Sequence, residues 1–133
     1  MRIPILMAAA LLGLTAQAVQ VTQAAPAKAP EVALVCGGVG AEESAPMLAD
    51  AHNHALTILF AGPGGAYLSG VQTQIGGPKG AFASDPACGP IGQVDVTQAG
   101  HYTVQATYAG KRETQTVSLT PKGGGRLVLR WAN

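Results

Sequence analysis

The chain has 133 residues, only 11% of them charged, and its 8 basic and 7 acidic side chains leave a formal charge of +1. That balance argues against nucleic acid and anionic lipid as partners, because both are approached with a clear basic excess. Neither of the two cysteines belongs to a Cys-x-x-Cys pair, which argues against redox catalysis and thiolate metal sites.

Met1 and Arg2 open the chain with positive charge, and residues 3–14 form an apolar run shorter than the ~20 residues a spanning helix needs. Ala16, Gln17 and Ala18 supply a small-x-small cleavage site, so residues 1–18 are predicted to be a signal peptide cut after Ala18. Cys36 follows Ala33, Leu34 and Val35, with no small residue directly before it, so a lipid anchor is not expected. Loss of Arg2 on cleavage leaves the basic and acidic side chains equal in number. The sequence thus predicts a mature protein that is periplasmic or secreted, without a membrane span. Residues 19–30 are rich in alanine, proline and glutamine and have no apolar period; they are predicted to be a flexible leader. Residues 31–133 are predicted to form one domain.

Within that domain a short strand is predicted over residues 32–35, stopped by Gly37, Gly38 and Gly40. Ser44 as cap and Pro46 in the first turn predict a short helix over residues 45–51, with Glu42 and Glu43 preceding its positive end. Leu56, Ile58 and Phe60 alternate with Thr57 and Leu59 in a strand that ends at Gly62, Pro63, Gly64 and Gly65. A strand over 66–75 places Val71, Thr73 and Ile75 on one face, and a weak strand covers 81–84 before Pro86. Residues 91–96 make a better strand.

The strongest alternation lies at 102–108, where Tyr102, Val104, Ala106 and Tyr108 share one face and Thr103, Gln105 and Thr107 the other. Strands over 112–119 and 126–131 complete the pattern. A tight hairpin is expected at Ala109, Gly110 and Lys111, and a looser connection over 121–125. About seven strands at this spacing predict an all-β, antiparallel, immunoglobulin-like or prealbumin-like sandwich. Its core is expected to contain Leu56, Ile58, Tyr102, Val104, Leu127 and Trp131. Cys36 and Cys88, an even pair in an exported chain, are expected to form a disulfide that stabilises by roughly 4 kcal/mol through loop closure.

Gly100, His101, Tyr102, Thr103 and Val104, led in by Val94 and Val96 and followed by Ala106, Thr107, Tyr108, Ala109 and Gly110, resemble the Gly-x-Tyr-x-Val segment of carboxypeptidase regulatory-like domains. That superfamily includes transthyretin-like and collagen-adhesin B-type modules. The stretch from Gly37 to Gly40 with Glu42 and Glu43, then residues 56–61, 65–68 and the closing Arg130 and Trp131, resembles small exported bacterial proteins of this type. The resemblance implies the sandwich, with the tyrosine packed into it, and no activity. Gln98 and Ala99 stand where such domains often carry prolines, and the cysteines lie outside the motif.

Chemistry-bearing patterns are sparse. Asp50, His52 and His54 are the one cluster of potential metal ligands; in an extended segment, residues two apart point the same way. No His-x-x-Glu pair is present, Ser44, Ser69, Ser84 and Ser118 lie outside any nucleophile-elbow pattern, and the Tyr-Arg-Gly-Ser ending of transthyretin-like hydrolases is absent. Gly123, Gly124 and Gly125 follow Pro121 between strands, as turn residues do. The sequence therefore predicts a noncatalytic exported module, without catalytic residues or cofactor, that acts through surface contacts with a protein or another envelope component. The alternative is a periplasmic copper- or zinc-binding protein that uses His52 and His54.

Overall fold

A computed structural model describes residues 31–132. The predicted signal peptide and leader lie outside the described residues. Eight strands form two four-stranded sheets packed face to face. The first sheet has the order β1 (Val32–Gly37), β5 (Ile91–Val96), β2 (Leu56–Ala61), β8 (Gly125–Arg130). The second has the order β4 (Phe82–Cys88), β3 (Val71–Gly76), β6 (Gly100–Tyr108), β7 (Lys111–Leu119). A helix, α1 (Ala41–Ala49), lies outside the sandwich against the first sheet.

Period-two alternation decides which side chains meet between the sheets. Leu56, Ile58 and Phe60 of β2 and Val94 and Val96 of β5 face Val71 and Ile75 of β3 and Tyr102, Val104 and Ala106 of β6, all buried. Trp131 closes one end: its ring is buried near Phe60 and Tyr108, and its Nε1–H donates to the Lys111 carbonyl at 3.0 Å. Leu127 packs against this core while half-buried. Tyr102 is 2% exposed and donates its hydroxyl to the Gln98 carbonyl at 2.7 Å, so a large apolar ring is buried with its polar end satisfied. Gly77 and Gly100 flank that ring; a Cβ at Gly77 would stand 2.7 Å from its Cδ1.

Cys36 of β1 and Cys88 of β4 form a disulfide with Cα atoms 5.0 Å apart, linking an edge strand of one sheet to an edge strand of the other. Gly92, on the neighbouring strand, leaves room for it, since a Cβ there would lie 3.0 Å from the Cys88 sulfur.

Several elements differ from the sequence-based expectation. The helix begins at Ala41 rather than 45 and ends at Ala49. Gly40, not Ser44, is its N-cap, and Glu42 and Glu43 sit in its first turn. The cause is Glu43, whose carboxylate accepts from the Gly38 N–H at 3.0 Å and fixes the entry to the helix. Strand β4 runs on through Pro86 to Cys88, where a weak strand ending at 84 was expected. It is an edge strand, and its register against β3 shifts between Val71 and Thr73, so the ladder passes the residue that lacks an N–H. Residues 66–70 do not belong to β3; Tyr67 instead makes an isolated bridge to Ala61. Strands β2 and β8 pair in parallel, Leu56 beside Gly125 through Ala61 beside Arg130, in an otherwise antiparallel sandwich. The expected tight hairpin is present, with Ala109 and Gly110 both at positive φ between β6 and β7.

Candidate functional site

The first sheet carries apolar side chains on both faces. Strand β2 is apolar at Leu56, Ile58 and Phe60, which point inward, and also at Leu59, which points outward beside Ile91 of β5 and Val128 of β8. An outward apolar row on a sheet needs cover. Helix α1 supplies part of it, held down where the buried Gln93 side chain donates from Nε2 to the Met47 carbonyl at 2.7 Å and to the Thr57 hydroxyl at 3.3 Å.

The cover is incomplete. No side chain of α1 is buried, and a cleft of about 420 Å³ remains between the helix and the sheet. Ala41, Ser44 and Leu48 of the helix form one wall, Leu59, Pro90 and Ile91 the floor, and Tyr67 the opposite rim. Gly38 and Gly40 complete the lining; Tyr67 is 64% exposed at the rim, and Val39, between the two glycines in the chain, is 65% exposed. Among the described residues no carboxylate or cation lines the cleft. Its size and apolar walls suit a buried apolar group of a partner, with the Ser44 and Tyr67 hydroxyls as polar handles.

Of the predicted metal-ligand cluster, the fold sets Asp50 beside His54, while His52 bonds to the backbone. His52 is exposed at a 3₁₀ turn, Ala51–Asn53, with its Nδ1 3.1 Å from the Ala49 carbonyl. His54 is half-buried between two carboxylates: Nε2 lies 3.0 Å from an Asp50 oxygen and Nδ1 2.9 Å from an Asp95 oxygen. One ring nitrogen faces each carboxylate, and the two contacts tie the turn to β5. The Asn53 side-chain amide donates to the other Asp50 oxygen. This hydrogen bond, opposed by desolvation and aided by the contact and charge of His54, holds the Asp50 carboxyl below its ordinary range. His101 is on the second sheet, its Nδ1 3.1 Å from the Ser118 hydroxyl. Among the described residues no group of three or more His, Cys, Asp or Glu side chains is arranged to hold a metal ion.

Sequence reasoning missed both the cleft and Asp95. The signal for the cleft was present in β2, where Leu59 adds an outward apolar residue to the inward Leu56, Ile58 and Phe60, more than a one-faced strand needs. Asp95 is 41 residues from His54 and meets it only through the β2–β5 pairing.

No family model matches the chain, and no curated protein matches it. No helix among the described residues is long and apolar enough to cross a membrane.

Proposed function

We propose that this chain is a noncatalytic, exported β-sandwich module that works by contact, docking a protein or another envelope component at the cleft beneath α1. The observation that carries the reading is the cleft: an apolar cavity with Tyr67 exposed at its rim, beside a helix that buries none of its own side chains. An apolar anchor of leucine or phenylalanine size placed there gains roughly 1.5–3 kcal/mol from burial, the scale on which a few central contacts carry an interface. Met1, Arg2, the apolar residues 3–14 and the cleavage pattern at 16–18 support export to the periplasm or outside the cell. The resemblance of β6 to the Gly-x-Tyr-x-Val segment of carboxypeptidase regulatory-like domains supports the same reading, because such domains accompany enzymes without carrying their chemistry.

Tyr67 lies outside the named strands, so Tyr67→Asp introduces charge at the cleft rim at little cost to the fold. Mature wild-type protein is expected to co-sediment with envelope fractions of the cells that export it, and Tyr67→Asp to lose most of that association at unchanged urea midpoint. Equal association of the two proteins would overturn the assignment of the cleft.

A further inference from the structure

The outward face of the second sheet has a different chemistry. Strands β3 and β6 alternate strictly, so Gln72 and Gln74 of β3 and Thr103, Gln105 and Thr107 of β6 project away from the core. Register places Gln74 directly beside Gln105. On the edge strand β4, Phe82 stands opposite Gly76 with its ring on this same side, 58% exposed.

Two depressions adjoin on the face. Phe82 and Thr103 contribute to one of about 170 Å³, and Arg112 to one of about 50 Å³. Both include Gln74 and Gln105, so a single shallow trough runs from an aromatic ring across paired amides to a guanidinium.

The pattern of donors and acceptors is what selects a ligand. Each glutamine amide offers a donor pair and an acceptor side by side, and each threonine hydroxyl does both. Such groups match vicinal hydroxyls, which also donate and accept. Among the described residues the trough contains no carboxylate and one cation, Arg112, at one end, so the face complements an uncharged polymer rather than a polyanion, which would call for many cations. Phe82 adds an exposed π-face against which the C–H face of a sugar ring can pack, with the small Gly76 leaving the space beside it. Strand spacing of about 4.8 Å and a same-face repeat of about 6.8 Å along each strand set the amides and hydroxyls in a two-dimensional array along which an extended chain can lie.

We propose that this face binds a neutral, hydroxyl-rich polysaccharide chain, with Phe82 as the packing residue and Gln74 and Gln105 as its hydrogen-bonding pair. The site is separate from the cleft, which lies on the other sheet, and the two stand or fall independently.

The test is native affinity electrophoresis of the mature protein in gels containing hydroxyethylcellulose, galactomannan or dextran, with carboxymethylcellulose and alginate as polyanionic counterparts. Retardation is expected in at least one neutral gel, weakened about tenfold or more by Phe82→Ala and by Gln105→Ala, the scale of a lost packing or hydrogen-bonding contact. Phe82→Trp should retain it. Urea midpoints measured alongside separate binding from the alternative role of Phe82 as a cover for Gly76. If Phe82→Ala does not fold, Gln105→Ala, which leaves the ring in place, decides the matter. No retardation in any neutral gel, retardation by the polyanions alone, or undiminished retardation of the folded variants would each overturn the proposal.

Discussion

Removing the Tyr102 side chain should be among the most damaging single changes in the domain. The ring is buried against Gly77 and Gly100, and its hydroxyl is the partner of the Gln98 carbonyl. Aromatic-to-alanine substitutions in cores cost about 3–5 kcal/mol, and loss of the hydrogen bond adds about 1 kcal/mol. Tyr102→Ala should therefore consume a large share of the roughly 5–15 kcal/mol that stabilises a domain. Tyr102→Phe isolates the hydrogen bond at about 1 kcal/mol. Thr103→Ala, one residue along but on the outward face, should cost under about 0.5 kcal/mol.

Gly77 supplies the sharper test. A Cβ there would press into the tyrosine ring, so Gly77→Ala should cost about 1–3 kcal/mol through overpacking. In the Tyr102→Ala background the added methyl enters vacated space, and the cost should vanish or change sign, giving a coupling energy of about 1–3 kcal/mol. Urea denaturation of the four proteins, with m-values held in common, measures it. Strict additivity of the two changes, or equal losses for Tyr102→Ala and Thr103→Ala, would mean that the ring does not occupy the position described.

Three further outcomes are expected. Replacing both Cys36 and Cys88 with serine should lower stability by about 2–5 kcal/mol, read as a lower urea midpoint than that of the oxidised wild type, since the bond closes a separation of 52 residues; an unchanged midpoint would contradict the role given to the cross-link. Burial, aided by the Glu31 carboxylate, raises the Tyr102 phenol above its ordinary value of 10.0, so the folded state resists ionisation that the unfolded chain permits. Stability should fall as pH rises above about 10, and less steeply in Tyr102→Phe, by thermal unfolding across that range. The lowered Asp50 carboxyl gives the opposite sign: its stabilising contribution is present above the ordinary value of 3.8 and lost as pH falls through its folded-state value, so the gap between wild type and Asp50→Asn should close in strong acid.

Local pattern made much of the fold legible. Strict alternation from Tyr102 to Tyr108 marked β6 and its buried face, and the Gly100–Tyr102 spacing marked the corner at which the hydroxyl turns back to Gln98. What local pattern did not carry was decided by distant partners. Nothing near Gly125 indicates that β8 lies parallel to β2, because the pairing joins segments well apart in the chain. Pro86 marks the end of a strand only if both edges are paired, and β4 has one free edge. Asp50, His52 and His54 looked like one cluster because two-residue spacing aligns side chains in an extended segment. The 3₁₀ turn Ala51–Asn53 breaks that geometry, and Asp95 captures His54 across the sheet. The cleft is of the same kind, since its walls come from α1, β2, β5 and the Tyr67 segment, brought together only in the folded chain.

The docking role proposed for that cleft can be tested most directly by site-specific photo-cross-linking in cells that produce the protein. A photoreactive phenylalanine analogue is placed at Val39, exposed between the cleft-lining Gly38 and Gly40, and at Thr116, exposed on β7 of the other sheet. One discrete adduct is expected from position 39, suppressed when Tyr67→Asp is added, and none of that mass from position 116. The same adduct from both positions, or none from position 39, would contradict the docking role.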